Sequence, residues 1–111
     1  MKILIIDDNE GDRTLIDEFL KDAGVRGETF MCASGEESLE TVKTQKPGLV
    51  ILDTKLPGID GFETCRRIKA VQAGSKVIVM TGVVDAVDAG KAREAGADGY
   101  CVKTSDGANL I

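Results

Sequence analysis

Four short apolar runs, residues 3–6, 49–52, 77–80 and 100–102, divide this chain, and each is followed at once by a polar residue able to do chemistry. Such runs are the length of strands, and their near-continuous apolar character suits strands buried on both faces, as in a parallel sheet. Between them lie stretches whose apolar residues recur at helical spacing, so strand and helix alternate from end to end. That alternation predicts an α/β fold, a doubly wound five-stranded parallel sheet in flavodoxin-like order 2-1-3-4-5 with helices on both faces. In open sheets of this kind ligands bind outside the carboxyl ends of the strands, where strand order reverses. Asp7, Asp53, Thr81 and Lys103, each directly behind an apolar run, and Asp8 one step further are therefore expected to face one cleft.

The individual elements follow from local chemistry. Strand 1 is expected over 2–6. Leu15, Ile16, Phe19, Leu20 and Ala23 trace the apolar face of a first helix that Gly24 can end. Strand 2 falls at 28–32, followed by Ser34 and Glu37, a capping-box pair opening a helix to about residue 45. Strand 3 follows Pro47-Gly48. Asp60 and Glu63 form a second cap for a helix with Phe62, Cys65 and Ile68 on one face, and Gly74 is expected to close it. Strand 4 is expected over 76–80. A fourth helix ends near Ala95, ahead of Gly96, and is weak, because Gly90 lies inside it and its apolar residues are small or β-branched. After strand 5 the remaining residues, 104–111, barely begin a fifth helix.

One domain of 111 residues is expected to account for the whole chain. A net charge of −5 disfavours direct binding of nucleic acid or anionic membrane, so a DNA-directed output would need another domain. With no run near the roughly 20 apolar residues of a membrane span and no signal-peptide pattern, a soluble, cytoplasmic protein is expected. Met1 lies just ahead of strand 1, so the domain is expected to begin the protein. Cys32, Cys65 and Cys101 are odd in number and lack CxxC spacing, which points to small buried thiols.

Strands 1 and 3 are neighbours in the expected order, so Asp7, Asp8 and Asp53 should crowd together. Like charges so placed call for a cation. The chain has no His and no Cys in these loops, so the donors are oxygens and the natural ion is Mg²⁺, with Mn²⁺ as an alternative. A carboxylate beside such an ion can attack phosphorus. Asp53 is the best candidate nucleophile, standing alone at a strand tip before a long loop. Lys103 would supply positive charge and Thr81 a hydroxyl to the transferred phosphoryl oxygens.

Four segments carry a resemblance to a known family: LIIDD at 4–8, LDTKLPGIDG at 52–61, VIVMTG at 77–82 and EAGADGYCVK at 94–103. In this order they resemble the receiver domain of two-component response regulators, similar to stand-alone chemotaxis regulators. The resemblance implies that Asp53 accepts a phosphoryl group from a phosphohistidine on a sensor histidine kinase or histidine phosphotransfer protein. It also implies that Asp8, Asp53 and the backbone carbonyl of Lys55 bind Mg²⁺, with Asp7 acting mainly through water. Thr81 would swing its hydroxyl toward the phosphate, Tyr100 would pass from exposed to buried, and Lys103 would pair with phosphoryl oxygens. The result would be a switch whose helix 4 and strand 5 surface controls an effector domain or target protein, with room for a phosphorylation-dependent homodimer. No independent substrate turnover is implied, only self-phosphorylation and self-dephosphorylation.

Three departures stand out. Receivers commonly carry Lys-Pro after strand 5, often with a cis bond, where this chain has Lys103-Thr104, expected to be trans because a cis bond before a non-proline residue costs about 2.5 to 4 kcal/mol. Leu56-Pro57 replaces the usual Met-Pro. The fifth helix is expected to be truncated or missing, so a frayed end is expected, with apolar surface bared on strand 5 and the first helix. Among other readings, a haloacid-dehalogenase-like phosphatase would need Asp-x-Asp where Asp7-Asp8-Asn9 stands, and a dinucleotide site would need glycines where the loop is acidic. The main alternative is a receiver-like interaction module that works without phosphorylation.

Overall fold

The computed structural model describes residues 1–82, 86–104 and 107–110, with the side chains of residue 86 and of 103–110 excepted. Its elements are β1 (Lys2–Ile6), α1 (Glu10–Asp22), β2 (Glu28–Cys32), α2 (Gly35–Gln45), β3 (Leu49–Asp53), α3 (Gly61–Val71), β4 (Lys76–Thr81), α4 (Ala86–Glu94), β5 (Gly99–Thr104) and β6 (Gly107–Leu110). The first five strands are parallel in the order β2-β1-β3-β4-β5, as the alternation predicts. No helix among the described residues is long and apolar enough to cross a membrane.

Strand side chains alternate between faces, and the core divides accordingly. Leu4, Ile6, Val50, Leu52, Val77 and Val79 point to one face and pack with Val42 of α2, Cys65 and Ile68 of α3 and Ala92 of α4. Ile3, Ile5, Ile51, Met80 and Cys101 point to the other and meet Ile16 and Leu20 of α1. Burial on both faces is why these strands read as unbroken apolar runs.

The predicted caps at Ser34 and Asp60 form, accepting from the backbone N–H groups of Glu37 and Glu63, and Asn9, not predicted as a cap, accepts from that of Asp12. The end of α3 differs from expectation. It stops at Val71, three residues before Gly74, where the Gln72 N–H bonds back to the Ile68 carbonyl at 2.8 Å and the chain turns out of the helix. Lys69 then holds the following turn, its ammonium donating to the carbonyls of Ala73 and Ser75 at 3.2 and 2.8 Å. The start of α4 falls partly outside the described residues.

The fifth helix, expected to be truncated or missing, is absent among the described residues, and a strand that the alternation does not predict stands there instead. Residues 107–110 form β6, antiparallel to β5, with Thr104 opposite Gly107 and Cys101 opposite Leu110. A helix of about two turns is marginal in water. The same residues gain backbone partners along one side by pairing with the open edge of β5. With β6 on that edge Cys101 is 7% exposed, so the expected bare surface on strand 5 is absent there, whereas Phe19 of α1 remains 38% exposed. No described peptide bond is cis, so Lys103-Thr104 is trans as expected. Residues 105, 106 and 111, which the expected fraying includes, lie outside the described residues.

Candidate functional site

β1 and β3 are adjacent, with Ile6 level with Leu52, so the next residues, Asp7 and Asp53, emerge side by side. One carboxylate oxygen from each of Asp7, Asp8 and Asp53 lies within 4.8 Å of the others, the one acidic group of this kind found among the described residues. Their surroundings differ. Asp7 is fully buried, Asp53 half-buried and Asp8 exposed.

Asp7 is held from three directions. Its N–H donates to the Cys32 carbonyl at 3.0 Å. Its carbonyl accepts from the Arg13 guanidinium at 2.6 Å, and its Oδ1 accepts from the Asn9 N–H at 3.0 Å. Asn9 is also the cap of α1, so the helix start and the buried carboxylate are built from the same turn. Asp53 Oδ1 receives a longer hydrogen bond, 3.4 Å, from the N–H of Lys55. Behind Asp53, Thr54 donates its N–H to Met80 on β4 at 2.9 Å and accepts from Gly61 at 3.0 Å. A Cβ at Gly61 would collide with the Asp53 carbonyl oxygen, so the close approach of α3 to the tip of β3 requires glycine.

The remaining predicted residues lie along the same edge. Met80 is level with Asp53, which sets Thr81 one step further on β4, where it is 3% exposed. Thr81 is in turn level with Val102, so the backbone of Lys103 follows at the same edge, while its side chain lies outside the described residues. Tyr100 is 8% exposed and borders, with Ala89, Ala92 and Arg93, a cleft of about 230 Å³ between α4 and β5. Burial is the position that the resemblance assigns to Tyr100 after activation. Arg13 was not foreseen as a support of Asp7, and its spacing from Asp7 carries no signal in the sequence.

The donors suit a hard cation. Three carboxylate oxygens within 4.8 Å of one another could share one small cation. No soft ligand is among them, so the set fits Mg²⁺ or Mn²⁺.

The sequence matches the family described as response regulator receiver domain over residues 3–111. This chain belongs to that family. The receiver is 41% identical to the transcriptional regulatory protein AfsQ1 of Streptomyces coelicolor over 105 residues, 95% of this chain and 45% of the relative. It is 38% identical to sporulation initiation phosphotransferase F of Bacillus subtilis over 107 residues, 95% of this chain and 83% of the relative. The receiver thus spans less than half the length of AfsQ1 but most of the second relative. Among solved structures it is similar to the BeF3-activated DrrB receiver domain, at 32% identity and a TM-score of 0.77, over 89% of this chain and 80% of that one. A response regulator from Chloroflexus aurantiacus, also 32% identical, superposes with a TM-score of 0.83 over 92% of this chain and 84% of that one. The receiver is accordingly a module of two-component signalling.

Proposed function

We propose that this receiver is a phosphorylation-activated switch in which Asp53 takes a phosphoryl group from a phosphohistidine on a sensor histidine kinase or histidine phosphotransfer protein. The convergence of Asp7, Asp8 and Asp53 at adjoining strand ends is the observation that carries the reading. An Asp53 carboxylate oxygen bonds to phosphorus as the phosphorus–nitrogen bond breaks, and the bonding pair stays on the imidazole nitrogen. Asp8, Asp53 and the Lys55 carbonyl would hold Mg²⁺, with Asp7 acting through water. When bound, the ion neutralises carboxylate charge and stabilises the transferring phosphoryl oxygens. The Thr81 hydroxyl donates to one phosphoryl oxygen and the Lys103 ammonium pairs with another.

New charge at Asp53 draws on Thr81, which neighbours the α4 and β5 surface that Tyr100 borders. That surface is the output, read by an effector domain, a target protein or a second copy of the receiver. Catalysis is confined to the protein's own phosphorylation and dephosphorylation. The acidic chain does not itself engage nucleic acid or membrane, and it works in the cytoplasm. AfsQ1 is matched over 45% of its length, so a transcriptional output belongs to sequence outside the matched domain. The likeness to a receiver solved in a BeF3-activated form supports the switch.

Incubation with acetyl phosphate and Mg²⁺ should add one phosphoryl mass, lost when the divalent ion is chelated. Labelling of Asp53→Asn at the wild-type level would overturn the assignment.

A further inference from the structure

Residues 54–60 join the phosphoacceptor strand to α3 and carry Lys55. This loop is gripped from outside itself. The Glu36 carboxylate, in the first turn of α2, accepts a hydrogen bond from the Ile59 N–H at 3.1 Å across 23 residues of sequence. Next to it, Gly58 has φ 74, and a Cβ there would collide with the same carboxylate. Gly35 brings α2 equally close, since a Cβ on it would collide with Thr64 Oγ1 and stand 2.9 Å from Ile59 Cγ1. At the other end, the Gly61 N–H fixes the Thr54 carbonyl.

The cap hydrogen bonds at the start of α2 are made without Glu36. Ser34 and Glu37 already cap it, with Glu37 N–H donating to Ser34 Oγ at 3.2 Å and the Glu37 carboxylate accepting from the Ala33 N–H at 3.1 Å. Glu36 is exposed, and the contact it makes is with the loop.

We propose that Glu36 is a positioning residue for phosphoryl transfer. By holding the Ile59 N–H it keeps the loop, and with it Lys55, in the arrangement that receives Mg²⁺, so that ion binding does not have to order the chain first. The inference rests on the Mg²⁺-dependent reading above.

The test compares the full chain with Glu36→Ala and Glu36→Gln. Calorimetric titration with Mg²⁺ should show binding by Glu36→Ala weakened about 10-fold, the low end for loss of a residue that orients metal ligands. Labelling by acetyl phosphate should fall in parallel at limiting Mg²⁺ and recover when the ion is saturating. Glu36→Gln should stay within about twofold of wild type, because its amide oxygen still accepts from Ile59. Without metal, exchange of the Ile59 amide hydrogen should be faster in Glu36→Ala alone.

Unchanged Mg²⁺ affinity in Glu36→Ala would overturn the inference, as would equal weakening in both variants, which would point to charge rather than to the hydrogen bond. If wild type itself bound no Mg²⁺ and took up no phosphoryl group, the underlying reading would fall as well.

Discussion

Asp98, just ahead of β5, fastens that strand to β4 through its backbone and its side chain together. Its N–H donates to the Val77 carbonyl at 2.8 Å, and its Oδ2 accepts from the Val77 N–H at 2.9 Å and from the Lys69 ammonium at 3.0 Å. Replacing Asp98 with Ala strands the Val77 N–H on a residue with no exposed surface, at a cost of about 1 to 3 kcal/mol. The half-exposed pair with Lys69 adds about 0.2 to 1 kcal/mol, and Lys69 keeps its two carbonyl partners. The expected loss is about 1 to 4 kcal/mol, which lowers the melting temperature by about 4 to 16 °C for a domain of this size. Asp98→Asn keeps an acceptor for Val77 and should lose only about 0.5 to 1 kcal/mol.

Burial alone would raise the Asp98 carboxyl, but the Val77 N–H and the Lys69 ammonium outweigh it and hold the group below its ordinary value. Its folded-state value therefore lies below the unfolded one. The extra stability is fully present above the unfolded value, about 3.9, and disappears as pH falls from there through the folded value. Urea titrations of wild type and both variants at neutral pH and near pH 3 measure each part. The gap between wild type and Asp98→Asn should shrink in acid. A loss below about 0.5 kcal/mol for Asp98→Ala, or equal losses for Ala and Asn, would refute the reasoning.

Three further outcomes are expected. Lys55→Ala should lose its phosphoryl group faster than wild type, because the long cationic side chain two residues past Asp53 can obstruct attacking water; decay of the labelled protein, followed by mass, checks this. Gly61→Ala should cost about 1 to 3 kcal/mol and slow phosphorylation, since the new methyl displaces the backbone of Asp53, as denaturation and labelling on one preparation would show. Burial pushes the Cys65 thiol up to about 11 and raises Cys32 and Cys101 too, so alkylation at about pH 8 should be slow in the folded state and reach all three thiols only after unfolding.

Strands β1, β3, β4 and β5 were legible because burial on both faces leaves an unbroken apolar run, and parallel register then carries whatever follows each run to one edge. Asp7, Asp8, Asp53 and Thr81 could be placed together by that rule alone. Caps at Asn9, Ser34 and Asp60 obey chemistry confined to four residues, and two of them, at Ser34 and Asp60, could be read directly. Arg13 on the Asp7 carbonyl and Glu36 on the Ile59 N–H were not readable, since each depends on how finished elements pack. Gly74 misled because Lys69, rather than a left-handed glycine, holds the turn after α3. β6 was missed because four residues of mixed character carry too little periodicity, and the open edge of β5 decides their conformation.

The direction of β6 also bears on how this receiver can be joined to something else. Strands β1 to β5 all run toward the carboxylates, whereas β6 runs the opposite way beside β5. A tether fused behind Leu110 would therefore start out heading for the amino-terminal rim of the sheet. A fluorescent reporter, a surface linker or a second folded unit attached there would leave the strand ends that carry the three carboxylates open. A fusion into the loop after β3 would obstruct it.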